Sequence, residues 1–507
     1  MWFKLWEVGV RGRLWRVLKS LYGRCEVAVR VGGVADDWYE EFVGLREGCV
    51  VSPLLFLIYI NELPSLLEMG GGGGVRVGEG VVRCLMFADD VVLLSSTKEG
   101  LQRSLDIAGD FSRKWRFKFN FGRDKTAVMV FGGTGREESW TLTGRVVPIV
   151  QSYKYLGVKL VDRRKGKWGE QRRVMLAKAR GAFWKAWGLG VAGGWLSVRA
   201  AKGLWVSLVQ PILEYGAEVD CGHWEEAEVL LRLAGRMCLG VGREVPNEVV
   251  MGELGLWTVR ARREYLMLTY WGKVSRQGGG TVVGAVYREG RRRLEAGIAG
   301  RGEWCVRVKG LLGSLGMEER WVKEDVRDEG SWRREVWKLV REKEGLRWRE
   351  GIARKPSLGL YFSVKKELKE EWFLGLSQVW VRRWVRLRAS ASCLEVSAGR
   401  RRRVMRDRRV CGCGEGVEDE YHFLDMCARW REERRGVWEE LMKWDEVAVR
   451  RVMAMDRYER VEWLLGGGYG AKTREMVLKK VVGWLYKREW AGRVVGPPPV
   501  RGVGGGQ

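Results

Sequence analysis

The sequence predicts an α/β (α+β) domain, then a mostly α-helical region, then a small metal-binding element. Three observations predict this order. Short alternating apolar runs and helical spacings interleave up to about residue 167. Long basic segments with helical spacing follow, as far as about residue 390. Cys411, Cys413, His422 and Cys427 then cluster in one short stretch. The expected domains are 1–167 (α/β), 168–394 (helical connector), 395–432 (a basic run plus the Cys/His element) and 433–490 (a helical tail). The glycine- and proline-rich end, 491–507, is expected to be disordered.

Taken in order, residues 1–22 read as two short helices broken at Gly9 and Gly12, with Leu14, Val17, Leu18 and Leu21 on one face. "EVAVRVGGVADDWYEEF" alternates and turns at Gly32-Gly33, as a hairpin does. "SPLLFLIYINELPSLLE" reads as a helix that Ser52 caps, with Pro53 in its first turn. Gly70–Gly74 reads as a flexible loop. A strand, an Asp pair and a second strand follow in "VRCLMFADDVVLLSS" (82–96). Residues 98–115 have helical spacing, while "KTAVMVF" and "YKYLGVKL" read as strands. Glycine loops near 277–280 and 298–302 interrupt the helical region.

The 507 residues suffice for several cores, and a hydrophobic fraction of 46% fits a folded chain. Lys and Arg number 91 against 64 Asp and Glu, a formal net charge of +27 that attracts polyanions, nucleic acid first among them. The 28 Trp and 70 Gly share G-rich codons with Val, Arg and Glu, so the tryptophans are not taken as base-stacking residues. Ten scattered cysteines do not make a disulfide framework. The most apolar stretch is broken by Ser52, Pro53, Asn61 and Glu62, so no membrane partner is expected. The basic amphipathic start invites a targeting-peptide reading, but Glu7 and its continuity with the segment after residue 22 argue against it. The expected setting is intracellular, nucleus or cytoplasm, and oligomeric state stays open.

Asp89 and Asp90 at a hairpin tip suit a divalent cation, because Mg²⁺ takes hard oxygen ligands and offsets the repulsion of neighbouring carboxylates. By itself "ADD" fits a solvent-exposed turn better. The flanking segments favour the first reading. "FADD" (87–90) resembles the metal-binding motif of reverse transcriptases. "GLREGCVVSPLLFLIYINEL" (44–63) resembles their nucleotide-pocket motif, Arg-Gln-Gly followed by a Ser-Pro-Leu-Leu-Phe helix. "FGRDKTAVMVF" (121–131) resembles the Asn-x-x-Lys-Thr segment, and "YKYLGV" (153–158) the primer-grip hairpin. "VQPILEYGAEV" (209–219) resembles the helical region that follows in non-LTR (LINE-type) retrotransposon polymerases. The resemblance covers roughly residues 1–240 and again 395–430.

It implies an RNA-directed DNA polymerase palm built around the FADD hairpin. Nucleotidyl transfer would use two Mg²⁺ ions, RNA template, DNA primer or target, and dNTP. Asp89 would be the principal metal ligand and Asp90 its support. Arg46, Gly48, Ser52 and Pro53 would border the nucleotide, and Lys125 would meet phosphate. The family's first metal-binding acid lies before the segment matching "LWEVGVRGRLWRVLKSLY", so the chain reads as an N-terminally truncated palm remnant. Asp36 and Asp37 are expected to be exposed residues of the Gly32-Gly33 hairpin. Glu47 stands where the family has Gln and puts a carboxylate beside the incoming triphosphate. Both departures predict that the chain by itself does not polymerise. An unpaired sheet edge and exposed apolar surface are expected with the missing strand.

Cys411, Cys413, His422 and Cys427 have the spacing C-x-C-x8-H-x4-C. Three thiolates and an imidazole make a closed, structural zinc site; the alternative is three buried free thiols and a surface histidine. The element also resembles the Cys/His unit near the C-terminus of LINE-type polymerases. Arg400, Arg401, Arg402, Arg403, Arg406, Arg408 and Arg409 precede it and would sit over nucleic-acid phosphates. His223, close to Cys221, has no further ligands and is expected to serve packing or surface. Two competing classes remain: a non-catalytic nucleic-acid-binding relic, and a protein-interaction scaffold, which would show no salt-dependent binding to nucleic acid.

Overall fold

The computed structural model describes residues 1–23, 25–40, 44–46, 48–122, 125–132, 138–162, 167–191, 196–277, 280–300, 302–326 and 328–491. Glu47 and nearly all of the low-complexity end lie outside them. The chain divides into two compact units. One holds 1–171 and 277–300, the other 172–276 and 301–507. No described helix is long and apolar enough to cross a membrane.

The first unit mixes short helices with six two-stranded antiparallel sheets among the described residues. Its two opening helices, Trp2–Glu7 and Gly12–Leu21, flank the left-handed Gly9 and Gly12. Of the predicted apolar face only Leu18 is buried; Leu14 and Val17 stay more than half exposed. Left-handed Gly32 and Gly33 close the predicted hairpin, pairing Val31 with Val34 and Val27 with Tyr39. Asp36 and Asp37 are exposed there.

The helix expected after residue 52 is two helices, Ser52–Ile60 and Leu63–Met69. Pro64 sits in the first turn of the second, so the first ends before it. Ser52 does not cap. Its hydroxyl instead donates back to the Arg46 carbonyl at 2.7 Å. Thr97 does cap the helix Lys98–Trp115, accepting from the Gly100 amide at 3.1 Å. The glycine run is packed rather than loose. Gly73 donates to Gly100 O at 2.9 Å and to Ser104 Oγ at 2.8 Å. A Cβ on Gly73 would meet Ser95 Oγ at 2.4 Å, so only glycine lets the run lie this close to the helix.

Residues 127–131 form no strand, contrary to their alternating pattern. Val128 makes only a single parallel bridge to Ile149. "YKYLGVKL" is a whole hairpin, Ser152–Tyr155 against Val158–Val161, turning at left-handed Leu156 and Gly157. A hairpin that the sequence reading missed, Trp140–Leu142 with Arg145–Val147, packs on the Lys98–Trp115 helix. The helix Val282–Glu295 joins this unit by packing on the strand Val75–Val77.

Lys4, almost fully buried, ties the first helix to the rest. Its ammonium pairs with Glu62 and lies 4.4 Å from the centre of the Trp115 ring. Lys4, ahead of its own burial and of Lys114, holds the Glu62 carboxyl below its ordinary range. A depressed carboxyl stabilises above its unfolded pKa and loses that contribution as pH falls through the folded one.

The second unit is helical, as its spacing predicts, and shares one continuous core. The helices Val259–Ser275 and Glu329–Ala353 lie side by side within it. Several of the basic residues turn inward. Arg388 is buried and bonds Glu253 at 2.9 Å, with Glu371 at 3.7 Å. Asp220, also buried, gathers Arg172 through two bonds of 2.7 and 2.8 Å, Arg307 at 3.0 Å and Arg263 at 3.4 Å. His223 is exposed beside Glu225.

Two outcomes follow from these pairs. Arg388→Ala leaves Glu253 buried without its cation and should cost the second unit about 3–5 kcal/mol, read by chemical denaturation. Glu62→Gln should flatten the loss of first-unit stability on acidification below about pH 4.5, read as the unfolding midpoint against pH.

Candidate functional site

The Asp pair sits where the alternation places it. Strands Cys84–Phe87 and Asp90–Leu93 pair antiparallel, Met86 opposite Val91 and Phe87 opposite Asp90. Ala88 and Asp89 form the two-residue turn between them. Ala88 is left-handed at φ 51°, a conformation that costs a residue with a Cβ about 1 kcal/mol and usually goes to glycine. Strand alternation sorts the two faces. Cys84, Met86, Val91 and Leu93 pack on Ile60, Leu63, Leu67, Ala108 and Phe111. On the other face Phe87 is 63% exposed and Leu85 38%. Both aspartates are exposed. Among the described residues this sheet has two strands only.

Phe56 and Ile60 of the Ser52–Ile60 helix pack in the same cluster as the hairpin's inner face. Lys125 reaches the hairpin by another route. Its carbonyl accepts from the Tyr153 hydroxyl at 2.6 Å. Two residues along the same strand stands Tyr155. Burial first, and the Asp90 charge second, push the Tyr155 phenol above its ordinary value. One strand, Ser152–Tyr155, therefore bonds the Lys125 segment through Tyr153 and brings Tyr155 within electrostatic reach of Asp90. Upstream, Asn120 shapes the turn into Lys125, accepting from the Gly122 amide at 2.8 Å through its side chain and from Thr126 Oγ1 at 2.8 Å through its carbonyl. The sequence reading missed both tyrosines as site residues; their alternation within "YKYLGV" was the available signal.

The pocket-motif residues divide. Arg46 is half-buried and donates from Nε to Cys25 Sγ at 3.2 Å. Gly48 is left-handed at φ 72°, with open space where a Cβ would stand. Ser52 bonds Arg46 O and Tyr22, and Pro53 is exposed in the helix's first turn. Asp89 and Asp90 offer adjacent hard oxygens, the donor type that Mg²⁺ takes. Among the described residues they do not join a third His, Cys, Asp or Glu in a metal-sized group.

The one such group described is in the second unit. The ligand atoms of Cys411, Cys413, His422 and Cys427 all lie within 4.8 Å of one another. Cys411 Sγ and Cys427 Sγ are 3.7 Å apart, and Cys413 Sγ is 3.2 Å from His422 Nε2. A tetrahedral zinc with bonds of about 2.3 Å to sulfur and about 2.0 Å to nitrogen needs edges of roughly 3.5–3.8 Å. The set therefore fits zinc, and the single residue between Cys411 and Cys413 does not prevent convergence. A bridge between Val410 and Val417 and bonds around left-handed Gly414 and Gly416 fold the knuckle. The Glu415 amide points at Cys413 Sγ at 3.5 Å. Asp419 accepts from the His422 amide at 2.9 Å. Without a cation, burial pushes the Cys411 thiol up to about 12 and raises Cys427 as well. Cys411, Phe423, Leu424 and Cys427 belong to the main core of the unit.

Of the arginine run, Arg400, Arg401, Arg402, Arg403, Arg406 and Arg408 are exposed. Arg402 pairs with Glu395, and Arg406 lies 3.7 Å from Asp419. Arg409 is turned inward. Its guanidinium donates to Val396 O at 3.0 Å and to Val404 O at 2.9 and 2.7 Å.

With this geometry in view, the comparisons with known proteins are direct. The reverse transcriptase (RNA-dependent DNA polymerase) family matches residues 2–160. The RNA-directed DNA polymerase from mobile element jockey of Drosophila melanogaster is 26% identical over 259 residues, 48% of this chain and 27% of the relative. The retrovirus-related Pol polyprotein from type-2 retrotransposable element R2DM, also of Drosophila melanogaster, is 31% identical over 137 residues, 24% of this chain and 13% of the relative. Its type-1 R2 counterpart from Popillia japonica is 26% identical over 240 residues, covering 44% and 32%. The chain thus spans a third or less of the length of these curated relatives. Residues 2–160 are a reverse transcriptase domain, and the domain belongs with those of non-LTR (LINE-type) retrotransposable elements.

Metal removal tests the Cys/His group. The purified chain should carry one zinc, and a chelator strong enough to strip it should lower the thermal unfolding midpoint of the second unit by several degrees. Cys427→Ala should do the same. An unchanged midpoint with zinc-free protein would show four residues that merely pack.

Proposed function

We propose that this chain handles the nucleotide and primer-template of an RNA-directed DNA polymerase, and that by itself it holds nucleic acid without extending it. The observation that supports this most is the Ser152–Tyr155 strand, whose Tyr153 donates to the Lys125 carbonyl and whose Tyr155 lies within electrostatic reach of Asp90. A cation site and a phosphate-binding lysine near a common strand suit nucleotidyl transfer, where charge on the leaving pyrophosphate must be neutralised. Mg²⁺ bound at Asp89 and Asp90 would supply that neutralisation and activate the primer hydroxyl. Lys125 would meet the triphosphate. Arg46, Gly48, Ser52 and Pro53 would border the base and sugar.

Two-metal transfer asks for more oxygen ligands than two adjacent carboxylates give. A third acid at Asp89 and Asp90 is not found among the described residues, and Glu47 replaces the family's Gln amide with a charge. The zinc element and the exposed arginines from Arg400 to Arg408 would hold nucleic acid through phosphate contacts. Arg409 would support that surface from inside. The same facts favour a second reading, a polymerase relic that only binds.

Both readings predict no primer extension. With RNA template, DNA primer, dNTP and Mg²⁺, extension should not exceed that of an Asp89→Ala control. Binding to primer-template should be tight at low salt and fall steeply as salt rises. Extension above the control would overturn the inactive reading, and salt-independent or absent binding would overturn both.

A further inference from the structure

The last helix, Ala471–Ala491, meets the Cys/His knuckle in two places. One contact is apolar. Trp484 is buried and sets its ring edge-on to Phe423 at 6.2 Å, and Phe423 directly follows His422. The other contact is charged. Arg488 grips the Glu418 carboxylate, Nε on Oε1 at 2.7 Å and Nη2 on Oε2 at 2.8 Å. The Glu418 side chain is 2% exposed and that of Arg488 17%, so both charges are largely out of water. The same Oε1 lies 3.8 Å from Cys411 Sγ. One carboxylate oxygen thus stands between a candidate ligand sulfur and a guanidinium 70 residues further along the chain.

Glu418 is held there from several sides. Its Oε2 also accepts from the Glu395 amide at 3.0 Å. Its own amide donates to Arg409 O at 2.9 Å, and its carbonyl accepts from the Val396 amide at 2.9 Å. Arg488 has a further acid, Glu395, at 4.0 Å. A buried carboxylate beside thiolates is unfavourable by itself. Zn²⁺ with three thiolates keeps a net negative charge, and Glu418 adds to it next to Cys411. Arg488 offsets that charge through two charge-assisted bonds. Without the guanidinium, Glu418 would stay buried without its cation, and its repulsion would fall on the metal's thiolates.

We propose that Arg488, acting through Glu418, is a positioning residue for Cys411, and that metal occupancy of the Cys/His group is coupled to docking of the Ala471–Ala491 helix. The inference rests on the zinc reading of that group. Such coupling is reciprocal: whatever the seated helix adds to zinc affinity, zinc adds to the seating of the helix.

The test uses the full chain. Competition with a chelating indicator reads zinc affinity, and amide hydrogen exchange with and without zinc reads helix docking. Arg488→Met should weaken zinc binding at least about tenfold, the lower end of what losing a ligand's supporting partner costs. Glu418→Gln combined with Arg488→Met removes both charges and should recover most of that affinity, a rescue that a merely structural pair would not show. In the unaltered chain, stripping zinc should speed exchange in Ala471–Ala491 more than in Val259–Ser275, which packs on Glu329–Ala353 instead. Unchanged affinity in Arg488→Met would overturn the proposal, as would a double variant as weak as the single one. So would equal exchange in the last helix with and without zinc, a measurement that needs no variant to fold. A chain that takes up no zinc at all would overturn the zinc site itself, and the coupling with it. A chain that binds zinc regardless of Arg488 would overturn the coupling alone.

Discussion

Adjacent carboxylates repel, and a fold that presents two of them side by side must leave them in water or give them a cation. The Asp89-Asp90 turn does the first, and on the proposed function it does the second as well. Its inner face is anchored by Cys84, Met86, Val91 and Leu93 on a core that also receives the Ser52–Ile60 helix. Its tip is held out in solvent on a turn that an alanine enters left-handed. The root is rigid and the tip charged, the arrangement needed to fix a metal against a substrate. Tyr153 bonds the Lys125 segment, and Tyr155 of the same strand lies within electrostatic reach of Asp90.

Net charge is a poorer guide to where nucleic acid binds than the +27 suggests. In the second unit Arg388, Arg263 and Arg172 are spent on buried or half-buried carboxylates, and Arg409 on backbone carbonyls. A buried guanidinium forfeits hydration and recovers it only through its partners, so these residues are committed to the fold. The arginines left exposed around 400–408 lie next to the Cys/His group in sequence. Cys411 and Cys427 of the knuckle are part of the core, so a metal bound there would be coupled to the fold.

Much of this was legible in the residues. Gly32-Gly33, Thr97 before a helical run, and alternation on both sides of the Asp pair each gave the observed local structure, because local chemistry decides turns, caps and strand faces. The Cys/His spacing was legible for the same reason. Reading failed where tertiary packing decides. Residues 127–131 alternate like a strand but meet only one bridging partner. Ser52 looks like a cap and donates backward, because Arg46 O lies within reach. The glycine run looks loose and is packed against a helix. Nothing in "YKYLGV" alone says that Tyr155 feels the charge of Asp90, which lies 65 residues earlier in the numbering.

The central claim is that a divalent cation at Asp89 and Asp90 shares its surroundings with the Lys125 segment. Fluorotyrosine placed at 153 and 155, observed by ¹⁹F NMR during Mn²⁺ titration, measures this without requiring activity. The account predicts that both signals broaden with Mn²⁺, the signal at 155 more strongly, and that Asp89→Ala with Asp90→Ala abolishes the effect. Sharp signals at saturating Mn²⁺, or broadening that survives loss of both aspartates, would contradict it.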